Sequence, residues 1–283
     1  MQCHNGRLVL AGHDLGRFLS CRHLTALDTE VAFELRPKPP VYDDPALELL
    51  KERGLEHEKR HNDSLAASGV RVLDLGVYAF EARVEPCLAA MKAGEPAIAQ
   101  GGLAGDGWIG YPDLLLRVET PSAFGTWSYE AHDTKLARET RGTTILQLSL
   151  YSDLLAGLQG LVPEHFHVVT PAGMETYRTA DFAAYYRLVK RRLEETTRVD
   201  PKTVTADTYP DPVDYCSICR WSQLCDKRRR GDDHLSLVAG ISRLQRQEFV
   251  AQGVTTLERL GDLGAPLPFT PARGSREAYE KSQ

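Results

Sequence analysis

No stretch of this sequence is apolar for long enough to cross a membrane. The first residues, Met1 to Leu10, lack the charged-then-apolar pattern of a secretory signal, so a cytoplasmic location is expected. There is no internal repeat at a fixed period and no low-complexity segment. Positive charge is in deficit: 34 Lys and Arg stand against 39 Asp and Glu, a formal net charge of -5. That balance argues against a surface coated with basic groups, but leaves room for a local track. One basic run exists, Lys227-Arg228-Arg229-Arg230, which also reads as a plain solvated charge run. Cysteine is sparse, and without a secretion signal the 6 thiols are not expected to pair as disulfides. What is present is a chain of 283 residues with the composition of a globular protein, enough for one good-sized domain and an appendage.

Leu15, Phe18, Leu19 and Leu24 share one helical face and predict a helix over 14–33 that carries Cys21. A Pro-rich connector over 36–45 leads into a second predicted helix, from Pro45 towards Ala67, which carries His57 and stops at Gly69. A short strand over 70–75, a helix over 80–92 and a short strand over 97–100 follow. Leu114 to Glu119 reads as a buried strand, Pro121 and Gly125 as turn chemistry, and Trp127 to Lys135 as the returning strand. A helix over 143–158, a strand over 166–170 and a helix over 182–196 complete an α/β (α+β) pattern, a mixed central sheet flanked by helices.

If the hairpin closes this way, Asp113 and Asp133 lie at the same end of the strand pair and converge. Paired carboxylates suit Mg2+ or Mn2+, which prefer oxygen ligands and whose charge keeps those carboxylates ionised. Such an ion lowers the pKa of bound water and neutralises charge developing on a phosphodiester. Lys135 is two residues past Asp133, so the strand period puts both on one face, where the lysine can polarise the water. The carbonyl of Thr134 is a plausible extra ligand, and His57 a candidate third ligand against a plain reading as a solvent-facing histidine. Gln147 and Tyr151 are four apart and share a helix face. Glu130 should point to the opposite sheet face and reads as a structural acid.

Cys216, Cys219 and Cys225 bring three thiolates into one short span, as in a zinc site or a [4Fe–4S] cluster. A fourth ligand is needed. Cys21 is the natural choice, with His23 and His234 as rivals for zinc; spacing leaves zinc and iron–sulfur both open.

Taken in order, Phe18-Leu19-Ser20-Cys21-Arg22-His23-Leu24, Gly54-Leu55-Glu56-His57-Glu58, Gly110-Tyr111-Pro112-Asp113, Asp133-Thr134-Lys135, Gln147 to Tyr151 and Cys216 to Cys225 resemble the RecB-like nucleases of the PD-(D/E)XK superfamily. The likeness is to the iron–sulfur members, such as the exonucleases of CRISPR adaptation and AddB-type nuclease domains, and covers residues 14 to about 230. The resemblance implies a restriction-endonuclease-like core and a metal held by His57, Asp113 and Asp133 with Lys135 assisting. It implies that Gln147 and Tyr151 support the site and contact DNA. It also implies a [4Fe–4S] cluster on Cys21, Cys216, Cys219 and Cys225 that staples the N- and C-terminal parts. The implied substrate is single-stranded DNA or DNA ends, in DNA repair, CRISPR adaptation or antiviral defence. A helicase or another nuclease-complex subunit is the implied partner.

The nuclease part is expected over 1–233. Residues 234–264 resemble a degenerate helix-hairpin-helix module, whose Gly turn presents amides to phosphate. Residues 265–283 read as a loosely held tail ending without a closing element, as in a piece of a longer protein. The competing readings are a catalytically silent scaffold that binds DNA ends and a zinc-stabilised module of unrelated function.

Overall fold

A computed structural model describes residues 1–39, 45–264 and 266–281. The chain divides into two compact units, Met1–Pro37 with Tyr42–Val204, and Lys38–Val41 with Thr205–Gln283. The expected step at 233/234 lies inside the second unit. Residues 40–44 of the expected connector lie outside the described residues.

The first unit opens with β1 (Gln2–His4) and β2 (Arg7–Ala11), then α1 (Gly12–Ser20) and α2 (Arg22–Ala32). The single helix expected over 14–33 is therefore two. Cys21 interrupts it in extended backbone (φ -160°, ψ 118°) and caps α2, its Sγ accepting from Leu24 N at 3.4 Å. A cap that satisfies an orphan amide starts a new helix instead of continuing the old one. The long α3 (Pro45–Ala67) follows, then β3 (Val72–Asp74). Of the helix expected over 80–92, Phe80–Ala82 form a tighter 3-10 turn and α4 covers Val84–Ala93, ending at Gly94 with φ 75°.

Next come β4 (Ala97–Ala99), β5 (Leu103–Gly105), β6 (Trp108–Gly110), β7 (Leu114–Val118) and β8 (Ser128–Thr134). The unit closes with α5 (Gly142–Gln159), β9 (His165–Thr170), β10 (Gly173–Arg178) and α6 (Thr179–Thr197).

The strands form two mixed sheets flanked by helices, where one central sheet was expected. The larger has the order β10-β9-β8-β7-β4-β3, the smaller β1-β2-β6-β5. The second sheet went unread because its strands are three to five residues long, too short for alternation to register. The core is formed by Leu15, Leu115, Tyr129, Leu148, Phe166 and Leu193, each fully buried, where α1, α5 and α6 meet the sheets. Ala131 and Val168 on the central strands are just as buried. No helix among the described residues is long and apolar enough to cross a membrane.

The second unit contains α7 (Ser222–Gly231), α8 (Arg243–Ala251), α9 (Leu257–Gly261) and α10 (Arg276–Glu280). Ser242 and Gln245 cap α8 reciprocally, and Thr256 caps α9. Between them Gly253 takes φ 81°, a conformation glycine adopts without strain. Leu235, Ile241, Phe249, Val254 and Leu260 bury together, joined by Leu267 and Tyr279. The segment read as a loose tail thus supplies two core residues. Phe249 takes Phe269 and Tyr279 against its ring edges, at centroid distances of 6.0 and 5.4 Å.

Candidate functional site

Strands β7 and β8 pair antiparallel in a register that puts Leu114 opposite His132. One step further along, Asp113 faces Asp133. The Thr134 amide and hydroxyl both donate to Asp113 Oδ2, at 2.7 and 2.8 Å, which fixes that carboxylate. Asp133 is 1% exposed, and its Oδ2 forms an ion pair with Lys135 Nζ. Burial, then the charge of Asp113, pushes the Asp133 acid well above the ordinary carboxylate range, while Lys135 pulls it back. A buried carboxylate beside a like charge is short of positive charge, and one lysine supplies only part of it.

A third carboxyl joins from α3. Glu58 accepts from Gln100 Nε2, and its acid is raised by burial and by the charge of Asp113. Asp133 in turn feels the charge of Glu58. Sequence reasoning passed over Glu58 in favour of its neighbour. Adjacent helical residues point about 100° apart, so a motif on a helix leaves open which of two neighbours faces the site. His57 is turned to the end of the sheet. Its Nε2 lies 3.1 Å from the Val169 carbonyl, which also accepts the Lys135 amide at 2.9 Å. His57 therefore touches β9 at the same carbonyl that holds the Lys135 amide.

Gln147 and Tyr151 form a brace. Gln147 Nε2 donates to Tyr151 Oη at 2.6 Å, and Tyr151 Oη donates to the Tyr111 carbonyl at 3.2 Å. The tyrosine thus holds the backbone that delivers Pro112-Asp113. Burial, and then the charges of Asp133 and Asp113, push the Tyr151 phenol upward, so it remains a donor. Two glycines admit this helix: a Cβ on Gly110 would meet the Tyr151 ring at 2.6 Å, and one on Gly12 would meet Gln147 Cγ at 2.9 Å.

On the opposite sheet face, Glu130 ties β8 to β9. It accepts from the His165 amide at 2.9 Å and lies 3.0 Å from His167 Nε2. His132 stacks on His167 at 4.2 Å, with His61 of α3 at 6.4 Å. Burial, then the charges of those two rings, holds His132 down at about 3, so His132 itself is neutral at physiological pH.

None of the six cysteines forms a disulfide. Cys21 belongs to the first unit and Cys216, Cys219 and Cys225 to the second. Cys216 Sγ accepts from Val213 N at 3.4 Å, and Cys225 is buried on α7. The basic run on α7 is matched locally: Arg228 pairs with Asp232 at 2.5 Å and Arg230 with Asp226 at 2.7 Å, while Arg229 donates to the Pro210 carbonyl at 2.9 Å. That spends most of its charge within its own unit and favours the reading as a structural charge run. Among the described residues, no three His, Cys, Asp or Glu side chains stand close enough to hold one metal ion. The donor chemistry at the hairpin still suits a divalent cation: two hard carboxylate ligands, of which Asp133 is buried with its acid raised by burial and by Asp113. No protein-family profile matches this chain, and no curated protein matches it in sequence.

Two outcomes are expected. Gly110→Ala should displace the Tyr151 ring and cost about 1–3 kcal/mol in urea unfolding, as overpacking does. Asp133→Asn should stabilise the metal-free protein at pH 8. The raised acid makes the native state hold its proton more tightly than the unfolded chain, so wild-type stability falls as pH rises through that pKa, and Asn removes the fall. In EDTA the variant's Tm should exceed wild type by several degrees, at roughly 2–4 °C per kcal/mol. Added Mg2+ or Mn2+ should raise the Tm of wild type only. A variant no more stable than wild type in EDTA would contradict the burial argument.

Proposed function

We propose that this chain is a Mg2+- or Mn2+-dependent deoxyribonuclease with a RecB-like PD-(D/E)XK site, acting as an exonuclease on single-stranded DNA or DNA ends. The observation that carries the reading is the buried Asp133 facing Asp113, with Lys135 on the same strand end. A bound divalent ion supplies an acidified water and offsets charge on the phosphodiester oxygens. Asp113 and Asp133 would hold it, with Glu58 as a nearby third carboxyl and His57 in reserve beside Lys135. Thr134 keeps Asp113 in place through its amide and hydroxyl, and offers its carbonyl as a further ligand. Lys135, at the Asp133 carboxylate, would orient the attacking water and stabilise charge growing on the phosphate. Gln147 and Tyr151 keep the Asp113 turn from shifting; small displacements of catalytic groups cost rate steeply.

Cleavage of labelled single-stranded DNA should require Mg2+ or Mn2+. It should fall at least about 100-fold in Asp113→Ala, Lys135→Ala and Glu58→Gln, as loss of an electrostatic catalytic group does. Full activity in Asp113→Ala and Lys135→Ala would sink this site assignment.

The reading extends to a [4Fe–4S] cluster on Cys21, Cys216, Cys219 and Cys225, with zinc as the alternative. Two of these sulfurs, Cys21 and Cys216, accept backbone N–H groups, as cluster thiolates do. Anaerobically purified protein should be brown, with a broad visible absorbance that Cys219→Ser abolishes. A colourless protein with bound zinc would replace iron with zinc.

A second reading, a scaffold that binds DNA ends without turnover, draws on the wide spacing of the candidate ligands. It would be favoured by tight binding to DNA ends with no cleavage of any DNA form.

A further inference from the structure

We propose that Phe80, backed by Arg83 and edged by Tyr111, is a stacking platform for one unpaired base of single-stranded DNA entering the acidic site. The inference rests on the nuclease reading for its ligand, and on an independent feature of the fold for its geometry. Between β3 and α4 the chain exposes Val77, Tyr78 and Phe80, at 80%, 46% and 53%. One exposed apolar side chain needs no explanation, but several exposed together on one short segment mark a binding surface.

This patch is held in place. Arg83, itself buried, donates from Nε to the Tyr78 carbonyl at 3.0 Å and from Nη1 to Gln100 Oε1 at 2.9 Å. Its guanidinium lies 4.1 Å from the Phe80 ring centroid. Tyr111 meets the same ring edge-on at 5.0 Å and 77°. A cation fills one face and an aromatic ring flanks Phe80, yet about half of the side chain stays open. A planar partner fits the uncovered face.

Two links tie the platform to the acids. Gln100 bridges Arg83 to Glu58. Tyr111 stands two residues before Asp113, at most about 7 Å of chain, the scale of one or two nucleotide steps. A base lying on Phe80 would then leave a nearby phosphodiester at the carboxylates.

Charge selects this occupant. The chain as a whole is acidic at -5 and has little general attraction for phosphate. Affinity here cannot come from phosphate contacts alone. Stacking on an aromatic ring supplies it without regard to sequence, and a base inside a duplex offers no open face. The platform would thus select unpaired strands.

The test is binding of a fluorescent single-stranded oligonucleotide, the same strand with abasic positions, and a blunt duplex, in Ca2+ to suppress turnover. Phe80→Ala should weaken binding of the intact strand by about 5- to 100-fold, the range of one base–aromatic stack. Phe80→Trp should retain it, and the abasic strand should bind both variants and wild type alike. Equal affinity of wild type and Phe80→Ala for the intact strand overturns the proposal. So does an equal loss on the abasic strand, or an effect confined to self-association in sedimentation. The two readings fail separately. Phe80- and base-dependent binding with no cleavage under any condition supports the platform and removes the nuclease. Asp113-dependent cleavage that is identical in Phe80→Ala on single and double strands supports the nuclease and removes the platform.

Discussion

The burial of the Asp133 carboxylate opposite Asp113 is the constraint around which the first unit is arranged. A carboxyl in the interior, next to another of the same charge, is unstable unless something compensates it. Lys135 does so from the same strand, and the period-two geometry of β8 makes that pairing unavoidable once the hairpin has closed. The same period sends His132 the other way, against the His167 ring, where burial keeps His132 neutral. Adjacent residues on one strand thus serve opposite faces of the sheet.

Around this pair the fold supplies two braces from distant parts of the chain. One runs from α5 through Gln147 and Tyr151 to the Tyr111 carbonyl, and fixes the approach to Asp113. The other runs from Glu58 on α3 through Gln100 to Arg83, and fixes the aromatic edge. Both meet at the short segment Gly110 to Asp113. Gly110 is where a side chain is least affordable, because the Tyr151 ring lies where its Cβ would be. Position along the chain gives no hint that residues 58, 83, 100 and 151 act on one turn.

The second unit is built by different means. Its elements are short helices with side-chain caps, closed on Phe249. Small units of this size bury little apolar surface, so each contributing residue counts, including Leu267 and Tyr279 from the Pro- and Gly-rich end. A segment whose composition reads as loose is held because two of its apolar residues find a core. The basic run on α7 shows the converse: four cations in a row look like a nucleic-acid track until Asp226 and Asp232 are seen one helical turn away.

The sequence by itself determined the elements with a long, clean period. These are the β7–β8 hairpin, α3, α5 and α6, together with the convergence of Asp113 and Asp133 that follows from hairpin register. It also determined that Gln147 and Tyr151 share a face, since four residues are close to one helical turn. It did not determine the break at Cys21, because a side-chain cap competes with helix continuation over a single residue. The second sheet was hidden too, since its strands are shorter than the window in which alternation is visible. Only the tertiary structure decided that Glu58, next to His57 on α3, comes close enough to Asp113 and Asp133 to feel their charge. A one-residue step on a helix is a rotation of about 100°, and the packing of α3 on the sheet selects which neighbour points inward. The aromatic edge at Phe80 was equally a tertiary decision. Arg83 is three residues from Phe80, but Tyr111 reaches the ring only after α4, β4, β5 and β6, and only folding brings it there.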